Sequence, residues 1–178
     1  MAARDRIRRV SWLLQGICTL LAVALPPLAL GFWLTFDAWA PGQPPFDRWA
    51  PLPHPMPPAS LAVAGLGAAI PLGLMVFALV RLRRLFRLYA RNRIFEAENS
   101  RCLRHFGQAL LALGVVQPLA GGLVSVGLTL TKPEGQRVLE ISVDGKDVML
   151  ALIGGLILVI AWVMEEGRRL QEDSALIV

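Results

Sequence analysis

The side chains that could carry out chemistry are few and far apart in the sequence. The chain has two histidines, His54 and His105, and two cysteines, Cys18 and Cys102, and none of them stands at the spacing of a metal site. Adjacent carboxylates occur near the C-terminus, where arginines alternate with them in the pattern of solvated ion pairs on a helix surface. No glycine-rich phosphate loop follows a strand pattern. The sequence therefore predicts a protein that is not an enzyme and that needs no cofactor or metal.

Polar groups and prolines interrupt the long apolar stretches at only a few positions. The strongly polar side chains there are Gln15, Gln108 and Gln117, which we expect to make hydrogen bonds between helices. Prolines stand in three of the stretches, where neighbouring helices can satisfy the carbonyl groups that they free. Broken helices also form transport sites, so a small-molecule or ion transporter or channel is the alternative function. Against it, no charged residue stands inside the stretches.

Four apolar stretches dominate the 178 residues. Hydrophobic residues make up 55% of the chain and charged residues 17%, against about 25% charged in ordinary soluble domains. Each stretch is long enough for a helix that crosses a hydrocarbon core of about 30 Å. We therefore expect one integral membrane domain, an all-α protein built as a four-transmembrane-helix bundle. The helices are predicted at about 10–36, 59–82, 104–130 and 147–166, with periplasmic loops at 37–58 and 131–146, a cytoplasmic basic segment at 81–104 and a cytoplasmic tail at 167–178.

Basic residues are distributed unevenly between the ends of the predicted helices. Fourteen stand at the N-terminus, in the segment 81–104 and in the tail, whereas four stand in the two remaining loops. Because Lys and Arg are held on the cytoplasmic side of a membrane, both termini are predicted to be cytoplasmic. Arginine far exceeds lysine, and this excess, with abundant Ala, Gly and Pro, is typical of bacteria with GC-rich DNA. The expected location is a bacterial inner membrane.

Small residues recur at helical spacing within the apolar stretches. Since no hydrophobic force drives helices together in lipid, they pair where small residues let their backbones approach closely. We expect these residues to pack the helices of one chain together, and a homodimer seam is the alternative. They are Gly65, Ala69 and Gly73, then Gly121 and Ser125, and then Gly154 and Gly155.

The two predicted periplasmic loops differ in pattern. In the second, Leu139, Ile141 and Val143 alternate with polar residues before Asp144-Gly145, which is typical of a short strand that enters a turn. We expect a short β-hairpin there, and an irregular loop is the alternative. The first loop is rich in proline and is expected to be an extended, polyproline-like surface segment.

The second predicted helix continues past its apolar stretch as a basic helix. At about 100° per residue, Arg83, Arg84, Arg87 and Arg91 fall on one side, and leucines and aromatic residues fall on the other. The basic side suits anionic headgroups of the lipid bilayer, at about 1 kcal/mol per residue, or an acidic partner protein. Direct nucleic-acid binding is not expected, because no DNA-binding motif accompanies the arginines. The fourth helix is likewise expected to extend into the cytoplasm.

Two segments resemble the signature of a known family. In residues 93–107 the resemblance rests on Phe95, on Glu98-Asn99 and on Leu103-Arg104 before a glycine, and in residues 166–178 it rests on an amphipathic helix end with an acidic pair. Both segments resemble the bacterial four-helix membrane proteins catalogued as domain of unknown function 2975. The resemblance covers most of the chain by the number of helices and the placement of the loops.

That resemblance implies a cytoplasmic partner. Genes of the family often neighbour small Cro/C1-type helix-turn-helix regulators, so the resemblance implies a membrane anchor or sensor that holds such a regulator at its cytoplasmic face. The surfaces available for it are the basic helix 81–91, the turn 95–104 and the tail 165–178. The residues expected to contact a partner or lipid headgroups are Arg83, Arg84, Arg87, Arg91, Phe95, Glu98, Asn99, Arg104, Glu172 and Asp173.

Overall fold

Four long helices make up most of the chain. The computed structural model describes residues 2–39, 43, 45–91, 97–133 and 135–175, and the side chains of residues 8–39, 43, 45–91, 97–133 and 135–170. In chain order the elements are α1 (Ala2–Leu34), α2 (Phe36–Trp39), a 3-10 turn (Asp47–Trp49), α3 (Pro58–Ala90), α4 (Ala97–Thr129) and α5 (Gly145–Ala175). Each long helix contains a span long and apolar enough to cross a membrane. The chain is therefore a multi-pass membrane protein.

The four long helices lie in an open row. Helix α1 packs against α3, α3 against α4, and α4 against α5. Across the described ranges, no Cα atom of α5 comes within 8 Å of α1 or α3, and none of α1 comes within 8 Å of α4. Because lipid covers apolar side chains as well as a neighbouring helix does, such a row needs no closure in a bilayer. The four apolar helices predicted from the sequence are confirmed, and they are arranged as a row in chain order.

Helix α4 is the buried member of this row. In its apolar window 39% of the residues are buried, against 17% in α3 and α5 and 6% in α1. Its contact with α3 is made between backbones: a methyl group added at Gly127 would lie 2.5 Å from the amide nitrogen of Ala64. On the α3 side, a methyl group at Gly67 would lie 3.1 Å from the nitrogen of Val124. Only glycine leaves room for this approach.

Glycines also form the contact between α4 and α5. A methyl group at Gly154 would lie 2.5 Å from the amide nitrogen of Leu111 and 2.8 Å from the carbonyl oxygen of Gly107. One turn of α5 closer to its start, a methyl group at Gly114 would lie 2.9 Å from the β-carbon of Ala151. These two glycine contacts hold α5 along the half of α4 that begins at Ala97.

The predicted packing residues lie partly in these contacts and partly outside them. Gly154 is in the α4–α5 contact, and Ser125 is fully buried. A methyl group at Gly65 would touch only the ring of Trp33, at 4.0 Å. Ala69 and Gly73 are exposed, and methyl groups at Gly73, Gly121 and Gly155 would meet nothing within 4 Å.

The predicted β-hairpin is wrong, because residues 135–144 form no strand. The segment 136–144 runs along α4, and no second strand lies beside it among the described residues. Its backbone instead uses hydroxyl groups of α4: the N–H of Val138 donates to Oγ1 of Thr129 at 3.1 Å, and the N–H of Glu140 donates to Oγ of Ser125 at 2.9 Å. The alternating pattern predicted an extended backbone, and the hydrogen-bond partner is a helix.

The segment 136–144 runs back along α4, so that α5 begins beside the middle of that helix and not beside its end. A methyl group at Gly122 would lie 2.9 Å from Cγ1 of Ile141, and one at Gly114 would lie 2.6 Å from the carbonyl oxygen of Asp147. Thr129, the last residue of α4, is fifteen residues beyond Gly114, which is roughly 22 Å along a helix. The first turn of α5 therefore lies beside the middle of α4, far from the Thr129 end of that helix.

The proline-rich loop is packed rather than extended over the surface. Its residues Trp49, Leu52 and Met56 are at most 8% exposed and form a core cluster with Phe36 and Leu128. The carboxylate of Glu140 accepts hydrogen bonds from Arg48 and from the indole N–H of Trp49, each at 2.8 Å. The expected extended surface segment is therefore a loop whose apolar side chains are buried in a cluster against α4.

Replacing Gly154 with alanine should destabilise the protein, because the added methyl group would overlap the backbone of α4. We expect a loss of about 1–3 kcal/mol in the free energy of unfolding, as for other overpacked sites. Gly155→Ala is the matched control, since a methyl group there meets nothing within 4 Å. Thermal unfolding of the purified protein in detergent measures both. Equal melting temperatures for the two variants would contradict the close contact.

Candidate functional site

The arginine-rich end of α3 presents a charged outer face. Arg84, Arg87 and Arg91 are exposed, whereas Leu85 and Leu88 are only 4% and 6% exposed. The alternation follows the helical period, because residues three and four apart share a face. The helix runs without a break from its apolar part to Ala90, so the charged face is rigidly connected to the membrane-spanning part.

An ion pair joins this face to the first turn of α4. Both Nε and Nη2 of Arg84 approach Oε1 of Glu98, and the Nε distance is 2.7 Å. A carboxylate in the first turn also suits the dipole of α4. The two side chains are 55% and 34% exposed, so the pair contributes no more than about 1 kcal/mol. Its effect is to set the position of the arginine face relative to α4.

A second group of hydrogen bonds joins α4 to α5. The hydroxyl of Ser100 donates to Oε2 of Glu165 at 2.7 Å, and Nη2 of Arg168 donates to Oε1 of the same carboxylate at 2.9 Å. Ser100 is 7% exposed. Sequence reasoning placed Glu165 in the tail and among ion pairs on a helix surface, but it missed Ser100 and the contact between the two helices, because a serine at a helix start is common and carries no signal of its partner.

The structure places the other predicted contact residues in different surroundings. Asn99 is fully buried at the start of α4, so a partner protein cannot reach its side chain. Arg104 is exposed on α4, and Arg83 is partly buried on α3. Two predicted contacts, Arg84 and Glu98, are brought together. Phe95 lies outside the described residues, and so do the side chains of Glu172 and Asp173.

These contacts define a polar surface that we call the inner junction, after the cytoplasmic orientation predicted from the sequence. It comprises the arginine face of α3, the first turn of α4 and the end of α5 around Glu165 and Arg168. The hydrogen bonds of Glu98 and Glu165 connect the end of α3, the start of α4 and the end of α5. Such an arrangement can bind a charged partner or ligand with little rearrangement, because its side chains already hold each other in place.

A cavity of about 300 Å³, which we call the outer cavity, lies towards the helix ends opposite the inner junction. It lies between α3, α4, the 3-10 turn and the extended segment, and its wall includes Pro71, Gln117 and Asp147. Asp147 is 2% exposed, and its Oδ2 accepts the N–H of Asp144 at 3.0 Å, which is half of a capping box. Gln117 was predicted from the sequence as a hydrogen bonder between helices. The other predicted glutamine of α4, Gln108, is exposed and lies outside this cavity.

The comparisons with known proteins give one match. The model of a family described as "Protein of unknown function (DUF2975)" matches residues 42–178. No curated protein and no solved structure matches the chain. The matched region contains α3, α4 and α5 and therefore the whole inner junction.

Reversing the charges of Arg84 and Glu98 one at a time should destabilise the junction, and reversing both should restore it. For Arg84→Glu and Glu98→Arg we expect a coupling of about 0.2–1 kcal/mol, as for other exposed pairs. The control cycle combines Glu98→Arg with Arg87→Glu, since Arg87 is exposed one turn away on the same face. The measurement is a double-mutant cycle of unfolding in detergent at low salt, because salt screens such pairs. The same coupling in both cycles would contradict a specific pair.

Proposed function

We propose that this chain, which belongs to the DUF2975 family of proteins of unknown function, is a membrane anchor or sensor that binds a small helix-turn-helix transcription regulator. The proposed location is a bacterial inner membrane, with the inner junction and both termini in the cytoplasm. The basic residues support this orientation, since Arg84, Arg87 and Arg91 are exposed at the inner junction.

The observation that carries the proposal is the connection of three helices at the inner junction. Helices α3 and α5 both continue past their apolar parts, and α4 begins between them with Glu98 and Ser100 as the connecting side chains. Helices in lipid can pack through apolar contacts and close backbone approach without these hydrogen bonds. The hydrogen bonds hold a charged surface in one arrangement, which lowers the entropic cost of binding a folded partner.

The class of partner comes from the resemblance to the family, whose genes often neighbour those of helix-turn-helix regulators. A regulator held at the membrane would be kept from its operator, and a change at the inner junction would release it. The described arginines offer their guanidinium groups to an acidic surface of such a partner. Direct nucleic-acid binding is not part of the proposal.

Truncating the chain after Leu170 should weaken the capture of a small Cro/C1-type helix-turn-helix regulator, the class of partner that the resemblance implies. This end point removes residues 171–178 but keeps Glu165 and Arg168, whose hydrogen bonds order the inner junction. Truncation after Met164 would remove both, so it would confuse loss of contact with loss of structure. We expect a further reduction when Arg84, Arg87 and Arg91 are also replaced by glutamine. The measurement is a pull-down with the full-length protein in nanodiscs.

The control for this pull-down is Arg48→Gln, which removes an arginine from the opposite end of the row. It should capture the regulator as well as the unaltered protein does. Capture at full strength without the tail and without the three arginines would contradict the proposal. So would a failure of the unaltered protein to capture the regulator.

A second candidate function is transport or channel activity, which the outer cavity favours. Gln117 and Pro71, a proline inside α3, both line its wall, and transport sites in membranes often combine polar side chains with prolines that free backbone carbonyl groups. The buried carboxylate of Asp147 adds an ionisable group near the start of α5, where such groups often mark a pathway for substrates.

Replacing Gln117 with leucine should abolish any flux that passes through the outer cavity, because it removes the amide from the cavity wall. Gln108→Leu is the matched control, since Gln108 is on the same helix but is exposed and outside the cavity. The measurement is uptake of small ions and metabolites into vesicles that contain each variant. Flux that is absent, or is the same in both variants, would count against transport.

A further inference from the structure

A cavity of about 510 Å³ lies between α3 and α4 beside the inner junction. Its wall includes Arg81, Arg84 and Arg101, together with Glu98 and His105. The volume is within the range of small-molecule sites. Unlike the exposed arginine face, this cavity brings basic side chains from two helices towards a common space.

The charges of the cavity wall do not cancel. Among the described residues of the wall, Glu98 is the only carboxylate, and it is already paired with Arg84. Within the same part of the chain, Arg81 and Arg101 have no carboxylate within ion-pair distance. The described wall therefore carries two more positive than negative charges.

The position of Arg81 supports a ligand in this cavity. Its guanidinium carbon lies 4.7 Å from the centre of the Phe77 ring, so the aromatic face holds the group in place. Its Nε is buried and has no hydrogen-bond partner among the described residues. A buried donor without a partner is costly, and an acceptor atom in the cavity would remove that cost.

Phe77 also connects the cavity to the apolar surface of the row. Its ring lies edge-on to His105, with 6.4 Å between the ring centres, and the residue is 39% exposed. An amphiphile whose charged group entered the cavity could lie with its apolar chain against α3. This combination of a basic pocket and an adjoining apolar surface is suited to a lipid headgroup.

We propose that the cavity between α3 and α4 is a binding site for a phosphate-bearing anion, held by Arg81 and Arg101, and that the anion is the headgroup of an acidic phospholipid. Guanidinium groups bind phosphate through two parallel N–H donors, which a diffuse surface charge cannot offer. The site does not depend on the proposed regulator, because its side chains come from α3 and α4 alone.

The test is lipid binding to the full-length protein in a neutral detergent, measured by native mass spectrometry with phosphatidylglycerol. The cavity variant carries Arg81→Gln and Arg101→Gln. The control variant carries Arg8→Gln and Arg9→Gln, which removes the same charge from exposed positions of α1 outside the cavity. We expect the cavity variant to bind about tenfold more weakly than the control, as for the loss of charge-assisted hydrogen bonds.

Two further arms distinguish the source of the phosphate and guard against misfolding. Pyrophosphate should displace phosphatidylglycerol from the unaltered protein, and phosphatidylcholine should not compete. Pyrophosphate binding without any preference for phosphatidylglycerol would retain the anion site and overturn the lipid source. Equal losses in the cavity and control variants, with no displacement by pyrophosphate, would overturn the site itself.

Discussion

The close approach of α4 to its two neighbours is the contact on which the rest of the structure depends. Glycines allow it on both sides: Gly127 and Gly67 between α4 and α3, and Gly154 between α4 and α5. In lipid no hydrophobic force draws helices together, so dispersion contacts between backbones must do so. Helix α1, which packs on α3 but not on α4 or α5 in the described residues, keeps most of its apolar side chains towards lipid.

Different kinds of contact surround this approach at the two ends of the helices. At one end charged side chains connect α3, α4 and α5 through Glu98 and Glu165. At the other end the hydroxyls of Ser125 and Thr129 bind an extended segment, and aromatic residues of the proline-rich loop form a core. Both arrangements depend on α4, because Glu98, Ser100, Ser125 and Thr129 belong to it and the other polar groups form hydrogen bonds with these side chains.

The sequence predicts the helices well and their arrangement poorly, and the reason is physical. Apolar length alone determines which segments cross a membrane, so the four helices follow from composition. Helix pairing depends on which side of a helix each glycine occupies: Gly154 contacts α4, whereas a methyl group at Gly155 would meet nothing within 4 Å. The prediction of a hairpin was wrong because alternating apolar and polar residues indicate an extended backbone but do not indicate which element it binds. At the inner junction, helical period predicted the face of Arg84 and Arg87, but nothing in the sequence pointed to Ser100 or to the cavity beside Arg81.

Disulfide trapping between α3 and α4 tests the central contact most directly. A β-carbon built on Gly67 lies 3.2 Å from that of Leu123 and no closer than 3.1 Å to any backbone atom of α4, so a shift of about half an ångström brings the pair to disulfide geometry. With Cys18 and Cys102 replaced by alanine, Gly67→Cys with Leu123→Cys should form a disulfide within one chain in native membranes. Gly65→Cys with Leu123→Cys should not, because a β-carbon at Gly65 meets only the ring of Trp33. A disulfide in the second pair alone, or one that joins two copies of the chain, would contradict the account.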